Sequence, residues 1–304
     1  MTLTAVPGVR VGHWTDTEGL TGVTVVALPE PNVTAVEVRG AAPGTRETAL
    51  LAPGMKVETV QAIALSGGSA YGLAAASGVM DALEGEGKGY PTLAGVVPIV
   101  PAAVIFDLLV GDSGARPGPA EGEAAYLAAT ADPVEMGTVG AGTGAVVAGW
   151  RGFEHVRKGG VGSASVMVGD ATIGALALVN AVGDVFTLEG VPLTGGDPVP
   201  GPPQARPGPL ENTTLAVVAT DAAFDRSASQ RLIVRSHDAL AVCLRPSHTR
   251  YDGDAVFAVS CGGRAADPDA VGEAAFTVVG RAIEAAVRSA RTAGGIPALE
   301  AVDD

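Results

Sequence analysis

"PGPLENTTLAVVATDA" runs from Pro207 to Ala222, and its reading decides the fold. The first residues are loop chemistry: proline brings no amide donor, and glycine loses the most entropy in any regular element. From Thr213 on, "TTLAVVATDA" is β-branched and apolar without alternation. Such a run predicts a strand covered on both faces. The Asn212-Thr213 boundary then has two readings. It is an ordinary loop end, or it is a bond that the chain cuts in itself.

Upstream, Glu189–Asn212 holds seven prolines and five glycines in 24 residues. It cannot be a helix or a strand interior, and it is too long for a routine connection, so it reads as a mobile loop. Only 92 residues follow it, and their two strands are too few for a sheet of their own. They complete a sheet begun earlier, so residues 1–304 read as a single domain made of two segments. Similar apolar runs recur at 23–28, 33–40, 60–68, 96–101, 103–109, 144–150, 162–169, 173–183 and 255–260. Helical spacing covers Ser69–Leu83, Asp225–Leu244 with Asp225 as N-cap, and Asp269–Ala293. Many strands and few helices predict stacked sheets covered by helices rather than a doubly wound array. No repeat occurs at a fixed period.

Bulk properties exclude several function classes. The net charge of −14, without a basic stripe, argues against nucleic acid as a partner. Mean hydropathy is +0.33, yet no apolar stretch reaches the ~18–20 residues of a membrane helix. The surplus is assigned to buried sheets and to interfaces of a homo-oligomer. Aromatic residues make up 4% and glycines number 43, so the core is built from Ala, Val and Leu in close contact. Cys243 and Cys261 sit in apolar runs and read as buried thiols of a reducing compartment. With no secretory signal at the N-terminus, the expected location is cytoplasmic. The four histidines lack metal-binding spacing, and His237 and His248 read as surface or loop positions. "GTVGAGTGA" (137–145) is not a dinucleotide loop, because strand-like residues follow it. Neither metal nor organic cofactor is called for.

A threonine at a strand start behind an accessible loop has its own chemistry. The Thr213 hydroxyl can attack the Asn212 carbonyl, turning the amide into an ester that water releases. The freed α-amine, with a reference pKa of about 7.7–8.0, is partly neutral near pH 7 and can act as base for its own Oγ. Four other stretches carry polar groups where they need a reason. "RKGGVGSAS" (157–165) sets Lys158 beside two glycines, and "LVNAVGD" (178–184) places Asn180 inside an apolar run. "HTRYDGDAVFAVS" (248–260) sets Asp252 and Asp254 at the mouth of a strand. "ALSGGSAYGLAAASGVMDAL" (64–83) is a Gly-hinged strand-to-helix turn.

Together with "PGVRVGHWTD" (7–16) and "RGAAPGTRET" (39–48), these stretches resemble the L-aminopeptidase/D-esterase (DmpA-like) family. That family includes β-peptidyl aminopeptidases and nylon-oligomer endohydrolases. The resemblance spans residues 7 to about 261 with the motifs in order. It implies a layered α/β fold, a four-layer αββα sandwich resembling N-terminal nucleophile hydrolases with DmpA/ornithine-acetyltransferase-like connectivity. It also implies self-cleavage at Asn212-Thr213 into segments 1–212 and 213–304, which stay together in oligomers of αβ units. Thr213 matches the nucleophile and Asn180 the oxyanion donor. Lys158 matches the lysine of the K-G-G turn, and Asp252 and Asp254 match a pair that orients nucleophile and amine. The implied activity is hydrolysis of a small peptide or amide substrate, as an aminopeptidase or amidase. One departure is "VIFD" (104–107), where Phe106 stands in place of a tyrosine and the acid that would bind a free amine is missing. That departure puts strict aminopeptidase specificity in doubt and leaves a more general amidase, with exo- and endo-action both open. Acyl transfer like that of ornithine acetyltransferases, and an uncleaved binding protein, are the alternatives.

Overall fold

The computed structural model describes residues 1–203 and 211–300. Ten strands form its two large sheets. Six precede residue 105: β1 (Arg10–Asp16), β2 (Thr21–Ala27), β3 (Val33–Val38), β4 (Thr45–Arg46), β5 (Ala62–Ser66) and β6 (Ala102–Val104). Four follow: β7 (Gly160–Val168), β8 (Ala171–Asn180), β9 (Thr213–Ala222) and β10 (Ala255–Arg264). The first sheet has the order β1-β2-β5-β6-β4 and the second β7-β8-β9-β10-β3. Four helices accompany them: α1 (Ala75–Gly85), α2 (Pro119–Leu127), α3 (Arg226–Cys243) and α4 (Pro268–Arg288).

Alternation along the central strands sorts the core into three layers. Leu215, Val217 and Phe257 meet Ile63, Leu65 and Val26 between the two sheets. Their neighbours Ala216 and Val218 point the other way, onto Leu232 of α3 and Val278 and Ile283 of α4. On the far side, Val23, Val25 and Ala64 pack against Val79 of α1 and Tyr126 of α2. The molecule is therefore a four-layer αββα sandwich. Its central strands lack polar alternation because both of their faces are covered.

The late segment is built into the middle of this core. β9 lies between β8 and β10, antiparallel to the first and parallel to the second. α3 begins as expected, with the Asp225 carboxylate accepting the Ala228 N–H at 2.7 Å. Other elements differ from the sequence reading. Ser69–Ala74 is a 3-10 turn that becomes α1 only at Ala75. α4 stops at Arg288 rather than Ala293. Of 96–101, only Val96 and Val97 pair, in the ribbon Tyr90–Thr92/Gly95–Val97, because the prolines at 98 and 101 donate no ladder bond. Of 144–150, only Val146–Val147 is a strand, paired with Arg157–Lys158. β1 and α2 were absent from that reading. β1 is mostly half-buried, and α2 is short and opens Gly-Pro, with Glu121 accepting the Gly118 N–H at 2.8 Å.

Both cysteines are free, Cys243 buried and Cys261 half-buried. Among the described residues no helix is long and apolar enough to cross a membrane. In the Pro/Gly-rich loop, Trp150 Nε1 donates to Gly201 O at 2.8 Å. The remainder, 204–210, lies outside the described residues, so the expectation of a mobile loop there does too.

Candidate active site

Register assembles the site at the head of β9. The β8–β9 ladder sets Asn180 directly opposite Thr213. The β9–β10 ladder brings the residues before Ala255, Tyr251 to Asp254, alongside Asn212–Thr214. Asn212 N–H donates to Tyr251 O, and Asn212 O accepts the Gly253 N–H, each at 3.0 Å. The buried Thr213 hydroxyl donates to that same Asn212 oxygen at 2.6 Å.

The two aspartates are 1% exposed and held by different partners. Asp254 Oδ1 accepts the Thr214 N–H at 2.6 Å, while Oδ2 accepts from His248 N at 3.1 Å and its ring Nδ1 at 2.8 Å. Asp252 Oδ2 accepts the Thr249 N–H at 2.8 Å and its hydroxyl at 2.6 Å. Burial, and then the Asp254 charge, push the Asp252 carboxyl up to about 6.

Asn180 is fully buried and spends its amide on the first sheet's side of the site. Its Oδ1 accepts the Val146 N–H at 2.9 Å and its Nδ2 donates to Phe106 O at 3.2 Å. Lys158 pairs with Val146 across the short ribbon, so it joins the same cluster through backbone. Its side chain is 0% exposed, and Nζ donates to Thr143 O at 2.8 Å. Burial pulls this ammonium down to about 8, against the opposing pull of the Asp107 charge. Asp107 follows β6, accepts the Thr21 hydroxyl and the Gly68 N–H at 2.7 Å each, and is itself raised by burial. The start of β2 and the ends of β5 and β6 thus close over the heads of β9 and β10.

All five side chains singled out in the sequence, Thr213, Asn180, Lys158, Asp252 and Asp254, lie in this cluster. His237 does not sit at the surface. It is 1% exposed in α3, its ring 4.9 Å from that of His248, and burial pushes it down to about 3. His248, Thr249 and Asp107 were missed as site residues. Thr249 stands three residues before Asp252, a spacing that favours local side-chain-to-backbone bonds. Asp107 is a lone charge in an apolar run, the same signal that Asn180 carries. Gly253 left no side-chain signal at all.

The model of peptidase family S58 matches residues 2–299. The chain belongs to peptidase family S58. This S58 protein is a hydrolase. It is 42% identical to an uncharacterized aminopeptidase of Mycobacterium tuberculosis (strain ATCC 25618 / H37Rv), over 97% of this chain and 96% of that one. It is 31% identical to a 6-aminohexanoate-oligomer endohydrolase of Paenarthrobacter ureafaciens, over 84% of this chain and 73% of that one. Among solved structures it resembles the L-aminopeptidase D-Ala-esterase/amidase of Ochrobactrum anthropi, with a TM-score of 0.79 and 23% identity over 99% of this chain and 91% of that one. A Burkholderia sp. beta-aminopeptidase gives 0.76 and 22% identity over 98% and 90%. At those identities the structural likeness concerns the fold, which in the Ochrobactrum protein is described as a variant of the Ntn hydrolase fold.

Proposed function

We propose that this S58 hydrolase is a self-processing threonine amidase. The chain is cut at Asn212-Thr213 into segments 1–212 and 213–304, which stay packed because β9 is sandwiched inside the second sheet. The observation that carries this reading is the Thr213 hydroxyl lying 2.6 Å from the carbonyl oxygen of the residue before it, at the rigid head of a buried strand. After the cut, Thr213 Oγ attacks a substrate amide and its own α-amine takes and returns the proton. Asn180 donates to the oxyanion. The Lys158 charge favours that anion from its buried seat. Asp254, fixed by His248, orients the head of β9, and Asp252 supports the loop beside it.

The substrate class is an amide of peptide or peptide-like character. A relative named as an oligomer endohydrolase supports internal cleavage, and so does the absence of a hydroxyl or acid at Phe106.

The test is a denaturing gel and intact mass of the wild-type chain beside Thr213→Ala. By residue share of 30.0 kDa, fragments of about 21 and 9 kDa are expected from the wild type. The variant should stay whole and hydrolyse no short amide. A wild-type chain that stays whole after long incubation would end this reading.

A further inference from the structure

Asn212 enters the site as backbone, held on both sides by Tyr251 and Gly253. Its carbonyl oxygen, where charge develops when Thr213 Oγ attacks, accepts the Gly253 N–H at 3.0 Å. Asn180 does not donate to that oxygen. One N–H of its amide is on Phe106 O at 3.2 Å, and the other has no partner among the described residues. We propose that the backbone N–H of Gly253 is the oxyanion donor for cleavage of the chain itself, and that the amide of Asn180 serves only the later hydrolysis of substrates. This rests on the self-processing reading above.

The step balances without any added group. Thr213 Oγ bonds to the Asn212 carbonyl carbon, and the π pair moves onto the oxygen that faces Gly253. The C–N bond then breaks, and the hydroxyl proton ends on the Thr213 nitrogen. An Asn212–Oγ ester and a free amine remain, with no atom gained or lost. Water adds to the ester, returns the hydroxyl to Thr213 and releases Asn212 as a carboxylate with one proton.

Geometry explains why a glycine fills this role. A Cβ at 253 would lie 2.7 Å from Thr213 Oγ1 and 2.8 Å from Ala42 O. Neither can yield without moving the attacking hydroxyl or the segment at 39–43. That segment clamps both flanks of Gly253, since Arg39 N–H donates to Asp254 O and Ala42 N–H to Asp252 O, each at 2.9 Å. The donor is aimed by backbone on two sides.

Two reactions with two donors can be separated in the full-length chain. Replacing Gly253 by glycolic acid through in vitro translation substitutes an ester oxygen for the N–H and leaves the shape. Cleavage, followed on a gel, should slow at least tenfold, the low side of the roughly 10²–10³ typical for losing an oxyanion donor. Gly253→Ala, which keeps the N–H but displaces the hydroxyl, should slow it too. Asn180→Ala, checked for an unchanged melting profile, should cleave within about threefold of wild type yet lose about 10²-fold in hydrolysis of a short peptide amide. An ester variant cutting at the wild-type rate would overturn the proposal. So would a folded Asn180→Ala chain that fails to cut. A wild-type chain that never cuts would instead remove the self-processing reading beneath it.

Discussion

The two sheets are built on one plan. In each, a hairpin (β1–β2, β7–β8) pairs antiparallel with a third strand (β5, β9), which runs parallel to a fourth (β6, β10). A helix (α1, α3) connects those parallel strands, and a second helix (α2, α4) returns to cover the hairpin. Even a close contact is repeated. A Cβ on Gly12, third in β1, would lie 2.1 Å from Ala125 O of α2, and one on Gly162, third in β7, would lie 2.0 Å from Ala282 O of α4. Both glycines let a helix backbone settle directly on a strand. Connections of unequal length hide the repetition from any fixed sequence period.

The plan makes two like corners, at the heads of β5 and β9, and only the second bears the chemistry proposed above. At the β5 corner, Gln61 N–H donates to Ile99 O and Gln61 Oε1 accepts the Ile99 N–H, at 3.1 and 2.9 Å. The polar groups there satisfy each other. At the β9 corner the same position in the plan holds a hydroxyl on its own peptide bond, two buried carboxylates and a buried ammonium nearby. The scaffold supplies a rigid, dry strand head. The side chains placed on it decide whether that head is merely closed or reactive.

Breaking the second corner should cost activity, and breaking the first should cost stability alone. The largest effect is expected from Lys158→Met, which fills the space without charge. Steady-state hydrolysis should fall about 10²-fold or more, and any loss of rate in the wild type as pH rises through about 8 should vanish with it. His248→Phe removes the ring donor from Asp254 Oδ2 and leaves it the backbone N–H of residue 248, and rate profiles should fall about tenfold with folding intact, as for loss of one charge-assisted hydrogen bond. Gln61→Leu strands the buried Ile99 N–H. Denaturant unfolding of the uncut Thr213→Ala chain should register a loss of about 1–3 kcal/mol, while the same change in the wild type leaves cleavage as it was.

The last effect is a pH dependence of stability. Asp252 has its folded pKa raised to about 6 from 3.8. Its stabilising share is full below 3.8 and lost as pH rises through 6. Asp252→Asn, in the uncut background, should therefore lose less stability than its parent between pH 4 and pH 7, measured as the shift of the urea midpoint. An unchanged difference would mean that the carboxyl is not burdened by its burial.

Much of this contrast is legible along the chain. Unbroken β-branched runs such as 213–222 read as doubly covered strands because a strand with one solvated face would alternate in polarity. Asp225 reads as a cap because its carboxylate needs nothing beyond the next turn. Asn180 and Lys158 stand out as polar groups in surroundings that demand a partner. His237 misleads, since a histidine near the middle of a mixed-polarity helix carries no mark of which face is buried. β1 and α2 escape because their apolar pattern is weak: β1 is mostly half-buried, and α2 is short.

Local order along the chain is therefore enough to name most of the central strands and the side chains with unexplained polarity. Their partners are another matter. Asn180 meets Phe106 across 74 positions, Asp107 meets Thr21 across 86, and the Asn212 carbonyl finds a glycine amide in another strand's lead-in. The first closes only when the two sheets stack and the other two only when distant strands share a sheet, because a hydrogen bond is decided by tenths of an ångström that no local propensity specifies.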